Sequence, residues 1–204
     1  MRAAVFFACT FLTFSSPALA ADIFESQTAG YSLIYSDDWQ VDANGTSGDT
    51  IALKCALPIC EGTVRASVDI GYDYRYANDK PADLFRRMYP NGFTKMVEQS
   101  SLAIGRAKEL VPPSRQRIGN TEGFVGTFQL NYHDGRMRHM IYGIILNNGY
   151  IYHIKFLSAD VPNQNIKPIA DAFFDGFQVN EEVEVIPTQT TPDVPAPVTD
   201  KVSE

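Results

Sequence analysis

Histidine, cysteine and tryptophan are scarce in this chain, which holds three, three and one of them among 204 residues. So few imidazoles and thiols leave little material for a metal centre built on nitrogen and sulfur ligands, where a structural zinc site takes about four of them close together. Basic residues are short as well, 17 Lys and Arg against 24 Asp and Glu, for a net charge of −7. That balance argues against non-specific attachment to nucleic acid or to an anionic membrane. No apolar run reaches the roughly 20 residues of a bilayer-spanning helix, so the mature chain is expected to carry no transmembrane segment. The signature loops of catalysis are missing too: there is no Gly-x-Ser-x-Gly elbow, no His-Glu-x-x-His and no Gly-x-x-x-x-Gly-Lys cradle. Gly119, Gly123 and Gly126 have the wrong spacing for a dinucleotide loop and enter a strand pattern, not a helix. The expectation is a protein that is not an enzyme and has no cofactor or metal.

What is present starts with an export signal. Arg2 supplies a positive n-region, Ala3 to Phe14 an apolar stretch, and Ala18-Leu19-Ala20 a small-x-small cleavage site. Residues 1–20 therefore read as a signal peptide, and the mature chain, starting at Ala21, is expected to be periplasmic or secreted. Pro17 and the cleavage pattern argue against an uncleaved anchor, and Cys9 lies inside the apolar stretch without the context that a lipid anchor needs. At the other end, Glu181 to Glu204 carries six acidic residues and one Lys around PTQTTPDVPAPVTD. Such a segment buries too little apolar surface to offset its ordering entropy and reads as a disordered tail. Residues 21–180 suit one domain. In an oxidising compartment Cys55 and Cys60, within Cys-Ala-Leu-Pro-Ile-Cys, are most simply a disulfide. A redox dithiol is the rival reading, although the spacing is not Cys-x-x-Cys and only Lys54 brings a positive charge close.

Between the ends, period two dominates. Tyr31 to Tyr35 and Thr50 to Ala56 are strand candidates. From Val64 to Tyr76 the alternation is sustained, with Val64, Ala66, Val68, Ile70, Tyr72, Tyr74 and Tyr76 on a core face. Arg65, Ser67, Asp69, Gly71, Asp73 and Arg75 fall on the wet face, and Arg65, Asp69, Asp73 and Arg75 make a candidate recognition surface. Asn78-Asp79 offers an N-cap ahead of a helix from Pro81 to Met88, which Pro90-Asn91-Gly92 breaks before a second from Phe93 to Gln99. A strand over Arg115 to Ile118 and a closing helix from about Asn163 to Phe174, with Pro168 in its first turn, complete the pattern.

Asp134-Gly135 and Asn148-Gly149 both signal two-residue hairpins. With those turns Tyr132 faces Met137 and Asn147 faces Tyr150, which aligns Phe124, Phe128 and Leu130 with Ile145, Ile141 and His139 on one apolar face. The opposite, half-covered face holds Met140, Tyr142, Ile144, Ile151 and Leu157 with Thr127, Gln129, Arg138 and Lys155. In this register Gly126 lies opposite Gly143 amid Phe124, Phe128, Ile141 and Phe156, forming a notch for a closely packed helix or for a small apolar ligand. His139 and His153 fall on opposite faces and cannot share a metal. His133 beside Asp134 is the best base that a hydrolase could use. The fold class expected is α+β, an antiparallel sheet with helices on both faces.

Gly-Tyr-Ser-Leu-Ile-Tyr followed by Asp-Trp (Gly30 to Trp39), Gly-Tyr-Ile-Tyr-His-Ile-Lys-Phe (Gly149 to Phe156) and Phe-Phe-Asp-Gly-Phe (Phe173 to Phe177) occur in the order seen in the PsbP/DcrB-like family. The chain resembles that family over most of residues 24–180. The resemblance implies an α-β-α sandwich and a family of mostly non-enzymatic accessory or binding proteins, photosystem assembly factors among them. The Cys55/Cys60 loop and the acidic tail depart from the photosynthetic members, and no metal-binding motif can be placed. The leading expectation is thus an exported accessory protein that contacts an envelope protein. A carrier or sensor of a small apolar ligand comes second, and a hydrolase third.

Overall fold

The computed structural model describes residues 21–88, 91–159 and 165–180; the expected signal peptide, the acidic tail, Pro90 and Asn163 lie outside them. Two antiparallel sheets and three α-helices organise these residues. The smaller sheet has β1 (Ala21–Glu25) and β10 (Phe177–Val179) on either side of β2 (Tyr31–Ser36). The larger one runs, across its width, β3 (Trp39–Val41), β4 (Ile51–Cys55), β5 (Arg65–Tyr72), β9 (Tyr150–Ser158), β8 (Met137–Asn147), β7 (Thr121–Tyr132) and β6 (Gly105–Ile118). The helices are α1 (Pro81–Met88), α2 (Gly92–Ser101) and α3 (Lys167–Asp175). The mostly antiparallel α+β class is as expected, and the Pro and Gly punctuation separates α1 from α2 where the sequence puts the break.

Strand alternation divides the core into two clusters. Ile51, Leu53, Ala66, Val68, Ile145, Ile154 and Phe156 gather with Tyr31, Leu33 and Phe177 of the small sheet and with Ala170, Phe173 and Phe174 of α3. Phe124, Phe128, Leu130, Met140, Tyr142, Ile144 and Leu146 gather instead with Leu84 of α1 and with Phe93 and Val97 of α2. Phe128, Phe156 and Phe173 are fully buried, each such side chain stabilising the fold by about 1.5–3 kcal/mol.

The β8–β9 hairpin has the expected register, Asn147 opposite Tyr150, with Asn148 and Gly149 both at positive φ (50° and 83°). The β7–β8 hairpin does not. Tyr132 N donates to Arg136 O at 2.8 Å and Gly135 N to Tyr132 O at 3.1 Å, so the loop has three residues, His133, Asp134 and Gly135. Gly135 takes the left-handed position, φ 85°, that such a loop requires. The pairing slips by one, to Phe124 with Ile144, Phe128 with Met140 and Leu130 with Arg138. A one-residue slip turns every β7 side chain to the other face.

Three further differences have local causes. β6 starts ten residues before Arg115 and passes through Pro112-Pro113 at a register shift between Val111 and Ser114; an edge strand tolerates prolines because its outer N–H groups need no partner. β5 stops at Tyr72, and Tyr74–Tyr76 form a 3₁₀ turn. β1, β3 and β10 are too short for a period to show.

Cys55 and Cys60 form a disulfide across a 3₁₀ turn at Pro58–Cys60. Closing so small a loop removes little chain entropy. Reduction should therefore lower the unfolding free energy by only about 2 kcal/mol, read from the urea midpoint, without loss of the fold; unfolding on reduction would give the bridge a larger role.

Candidate functional site

α1 packs on β7 and β8 and α2 on β6, and the apolar cluster beneath them does not extend to β4 or β5. On the same side of the sheet, β4, β5 and β9 present a polar surface. Cross-strand register sets Lys54 beside Arg65, Arg65 beside Leu157, Ser67 beside Lys155 and Asp69 beside His153. The alternation that buries Ala66 and Val68 sends Arg65, Ser67 and Asp69 outward, and among the described residues the apolar cluster under α1 and α2 does not reach them.

Charges on this surface are largely arranged in pairs. Asp42, from the loop after β3, takes Lys54 Nζ at 2.8 Å and Arg65 Nη1 at 3.2 Å. Its carboxyl is held below the ordinary carboxylate value, foremost by the hydrogen bond from Lys54. Lys155 Nζ meets Asp69 Oδ2 at 2.7 Å. Beside them, at the border of the apolar cluster, His153 Nδ1 lies 2.5 Å from the Tyr142 hydroxyl. Burial foremost, and then Lys155, lower the imidazole pKa to about 4, with Asp69 opposing. Burial raises the Tyr142 hydroxyl. Both groups are therefore neutral at neutral pH and make a hydrogen-bonded pair.

Of the four residues of the candidate recognition surface, Arg65 and Asp69 stand on it. Asp73 and Arg75 do not. Past the end of β5, Asp73 caps the 3₁₀ turn by accepting from Arg75 N at 3.0 Å, and its carboxylate takes Arg75 Nε at 2.9 Å. A short polar side chain that bonds the backbone two residues on ends the strand.

The notch does not form. Gly126 pairs with Tyr142 and Gly143 with Val125, on opposite faces, because of the β7 slip. Phe124 and Phe128 stay with Gly126, whereas Ile141 and Phe156 stay with Gly143. Each glycine receives packing: a Cβ on Gly126 would lie 3.1 Å from Pro113 Cγ and 3.3 Å from Phe93 Cε1, and one on Gly143 would lie 2.7 Å from Phe174 Cε1. The space belongs to α2, β6 and α3.

The histidines separate as well. His133 Nε2 faces the Leu102 carbonyl at 3.1 Å, while Asp134 accepts from Arg136 N at 3.0 Å and Nε at 2.7 Å, so the two form no dyad. His139 is buried beside Gln129 and Ser158 rather than Leu130, with Nδ1 3.4 Å from Ala159 O. Among the described residues no three His, Cys, Asp or Glu side chains cluster as metal ligands would. Arg138 and Lys155 lie on the half-covered face, as the alternation of β8 and β9 requires; Thr127 and Gln129 do not. Asp42 was missed because nothing in a loop's sequence tells which strand it folds over.

The solution structure of cyanobacterial PsbP (CyanoP) from Synechocystis sp. PCC 6803 matches with a TM-score of 0.50 and 17% identity, over 85% of this chain and 98% of that one. The Ran-binding protein Mog1p of Saccharomyces cerevisiae gives 0.47 and 8% identity over 79% and 96% of the two chains. LpqN, involved in cell envelope biogenesis of Mycobacterium tuberculosis, gives 0.44 and 12% over 82% and 87%. No family model and no curated protein matches the chain. The resemblance read from the sequence thus holds for the fold, and a shared fold does not carry a function with it.

Proposed function

We propose that this chain is an exported, non-catalytic binding protein that works by protein contact through the open half-face of β4, β5 and β9. The observation that carries the reading is the unequal cover of one sheet face among the described residues: helices pack on β6, β7 and β8, and the charged rows beside them are exposed or half-exposed. In this reading α1 and α2 on one face and α3 on the other make an α-β-α scaffold that holds the rows flat. Residues 1–20 act as the signal peptide, residues 21–180 as the binding domain and residues 181–204 as an acidic disordered tail. A disulfide at Cys55–Cys60 suits the periplasm or the medium outside the cell. The recognition set becomes Arg65 and Asp69 with Lys54, Lys155 and Arg138.

Site-specific photocrosslinking tests this. A photoreactive amino acid at Ser67 should capture a reproducible envelope protein, whereas the same group at Arg106, exposed on the outer strand β6, should not. An Arg65→Glu/Lys155→Glu variant should reduce capture at Ser67 about tenfold, since like charges in a contact suppress association. Equal capture at both positions, or none at Ser67, would remove the open face from the function.

A further inference from the structure

Arginines from two neighbouring regions of the sheet converge at one end of the open face. Arg65 begins β5, while Arg136 and Arg138 flank the start of β8. With Thr63, Tyr132 and Leu157 they line a depression of about 200 Å³. In a chain with a net charge of −7, this gathering is local and is not a product of composition.

The three side chains are held differently. Arg138 is half-buried, and its Nη1 donates to the Thr63 carbonyl at 2.7 Å. That bond orients the guanidinium and leaves most of its five N–H donors for another acceptor. No carboxylate of the described residues forms an ion pair with it. Arg65 shares Asp42 with Lys54 and is 52% exposed. Arg136 bonds Asp134 and lies over the Tyr132 ring, 5.4 Å from its centroid. Four cations, Lys54, Arg65, Arg136 and Arg138, thus face two carboxylates, Asp42 and Asp134, and the depression stays positive. Leu157 and Tyr132, partly buried against the apolar cluster, give it an apolar side.

The volume is below the roughly 300–1,000 Å³ of small-molecule pockets. It suits one oxyanion group and its first carbons, borne by something larger that lies along the open strands. A planar guanidinium fork with free donors recognises a carboxylate by two parallel hydrogen bonds. An anionic membrane is disfavoured by the chain's own net negative charge.

We propose that this depression anchors an acidic side chain of a protein partner. The carboxylate of a Glu or Asp is held by Arg138, with Arg65 and Arg136 at its sides, and a neighbouring apolar residue of the same segment rests on Leu157 and Tyr132. The proposal deepens the protein-contact reading and rests on it.

The test uses a fluorescein-labelled peptide of alternating Glu and Leu, a matched Gln-Leu peptide and inorganic phosphate as competitor, read by fluorescence anisotropy on the full chain. The Glu-Leu peptide should bind at least tenfold more tightly than Gln-Leu at low salt. Arg138→Gln should abolish that preference. Lys108→Gln should not change it, because Lys108 pairs with Gln129 on the opposite face. Should Arg138→Gln melt markedly earlier than the parent, the exposed double variant Arg65→Gln/Arg136→Gln decides, with an expected loss of at least fivefold. Equal binding of the two peptides, an unchanged preference in the deciding variant, or complete displacement of Glu-Leu by equimolar phosphate would overturn the proposal, the last by making the depression a site for free phosphate. Crosslinking at Ser67 separates the two claims. A partner captured equally by parent and Arg138→Gln protein leaves the protein-contact reading standing and removes this anchor, whereas absence of any adduct removes the broader reading.

Discussion

Gly119→Ala should destabilise the domain by more than about 3 kcal/mol, a large share of the roughly 5–15 kcal/mol that keeps a native domain folded. Gly119 lies in the turn between β6 and β7 at φ 54°, where a side chain already carries a penalty of about 1–2 kcal/mol. Steric overlap adds more than this: a Cβ would lie 1.4 Å from the Phe177 carbonyl oxygen and 2.6 Å from its carbon. Those atoms are backbone, so no rotamer change relieves the overlap and β10 must move. The movement would break the two hydrogen bonds by which the Asn120 side chain holds Val179 N and O, both 2.9 Å. It would also unseat Phe177, which stacks on Tyr31 at 5.3 Å and meets Tyr152 edge-on at 5.5 Å. Gly135→Ala is the control. Its φ is 85°, but nothing lies within 4 Å of the added Cβ, so only the backbone penalty of about 1–2 kcal/mol applies. Urea unfolding of both variants, compared with the parent, reads the difference. Equal losses would mean that the β6–β7 turn does not approach β10 as closely as described.

Mild acid should remove about 3 kcal/mol of stability between pH 6.5 and pH 4, and His153 should account for it. Its native pKa is about 4, against an ordinary 6.5, with burial as the main cause, Lys155 adding to it and Asp69 opposing. As pH falls through 6.5 the unfolded chain takes up a proton that the native state refuses until about pH 4. The contribution is thus complete above pH 6.5 and gone below about 4. Asp42, Asp49, Asp73 and Asp134 also have lowered pKa values, but a lowered carboxylate loses its contribution only as pH drops below its ordinary value near 4. The two windows are therefore adjacent, not superimposed. His153→Gln keeps a hydrogen-bonding end near Tyr142 and cannot titrate, so its unfolding free energy should vary much less across pH 4 to 6.5. A variant that retains the full slope would assign the acid sensitivity to another group.

The first prediction depends on a contact between segments distant in sequence and the second on burial in the folded sheet, and neither is visible in the dipeptides and alternations from which the strands are read. Asn148-Gly149 and Asp134-Gly135 look equivalent as dipeptides. In the first, both residues take positive φ and the register follows. In the second, Asp134 turns its carboxylate onto Arg136 N and the loop takes in His133 as a third residue. That single residue moves Phe124 and Phe128 under α2 and dissolves the Gly126/Gly143 notch, along with the ligand-carrier reading that depended on it. Likewise, the alternation of β5 is legible from Arg65 to Tyr72, but Asp73 ends the strand by capping its own turn.

Local pattern alone establishes the α+β class, the break between α1 and α2 at Pro90-Asn91-Gly92, the β8–β9 register, the place of Arg138 and Lys155 on the half-covered face and the pairing of Cys55 with Cys60. These rest on period, caps, turn residues and short loops, all of them interactions within a few residues. Tertiary contacts set which face of β7 packs under α2, that Lys54 and Arg65 share Asp42, and that Arg65, Arg136 and Arg138 meet. Those facts depend on loop length and on contacts between strands distant in the chain, Arg65 and Arg138 standing 73 positions apart on either side of β9, and hydrophobic pattern constrains a strand's faces far more tightly than it constrains which strand lies alongside.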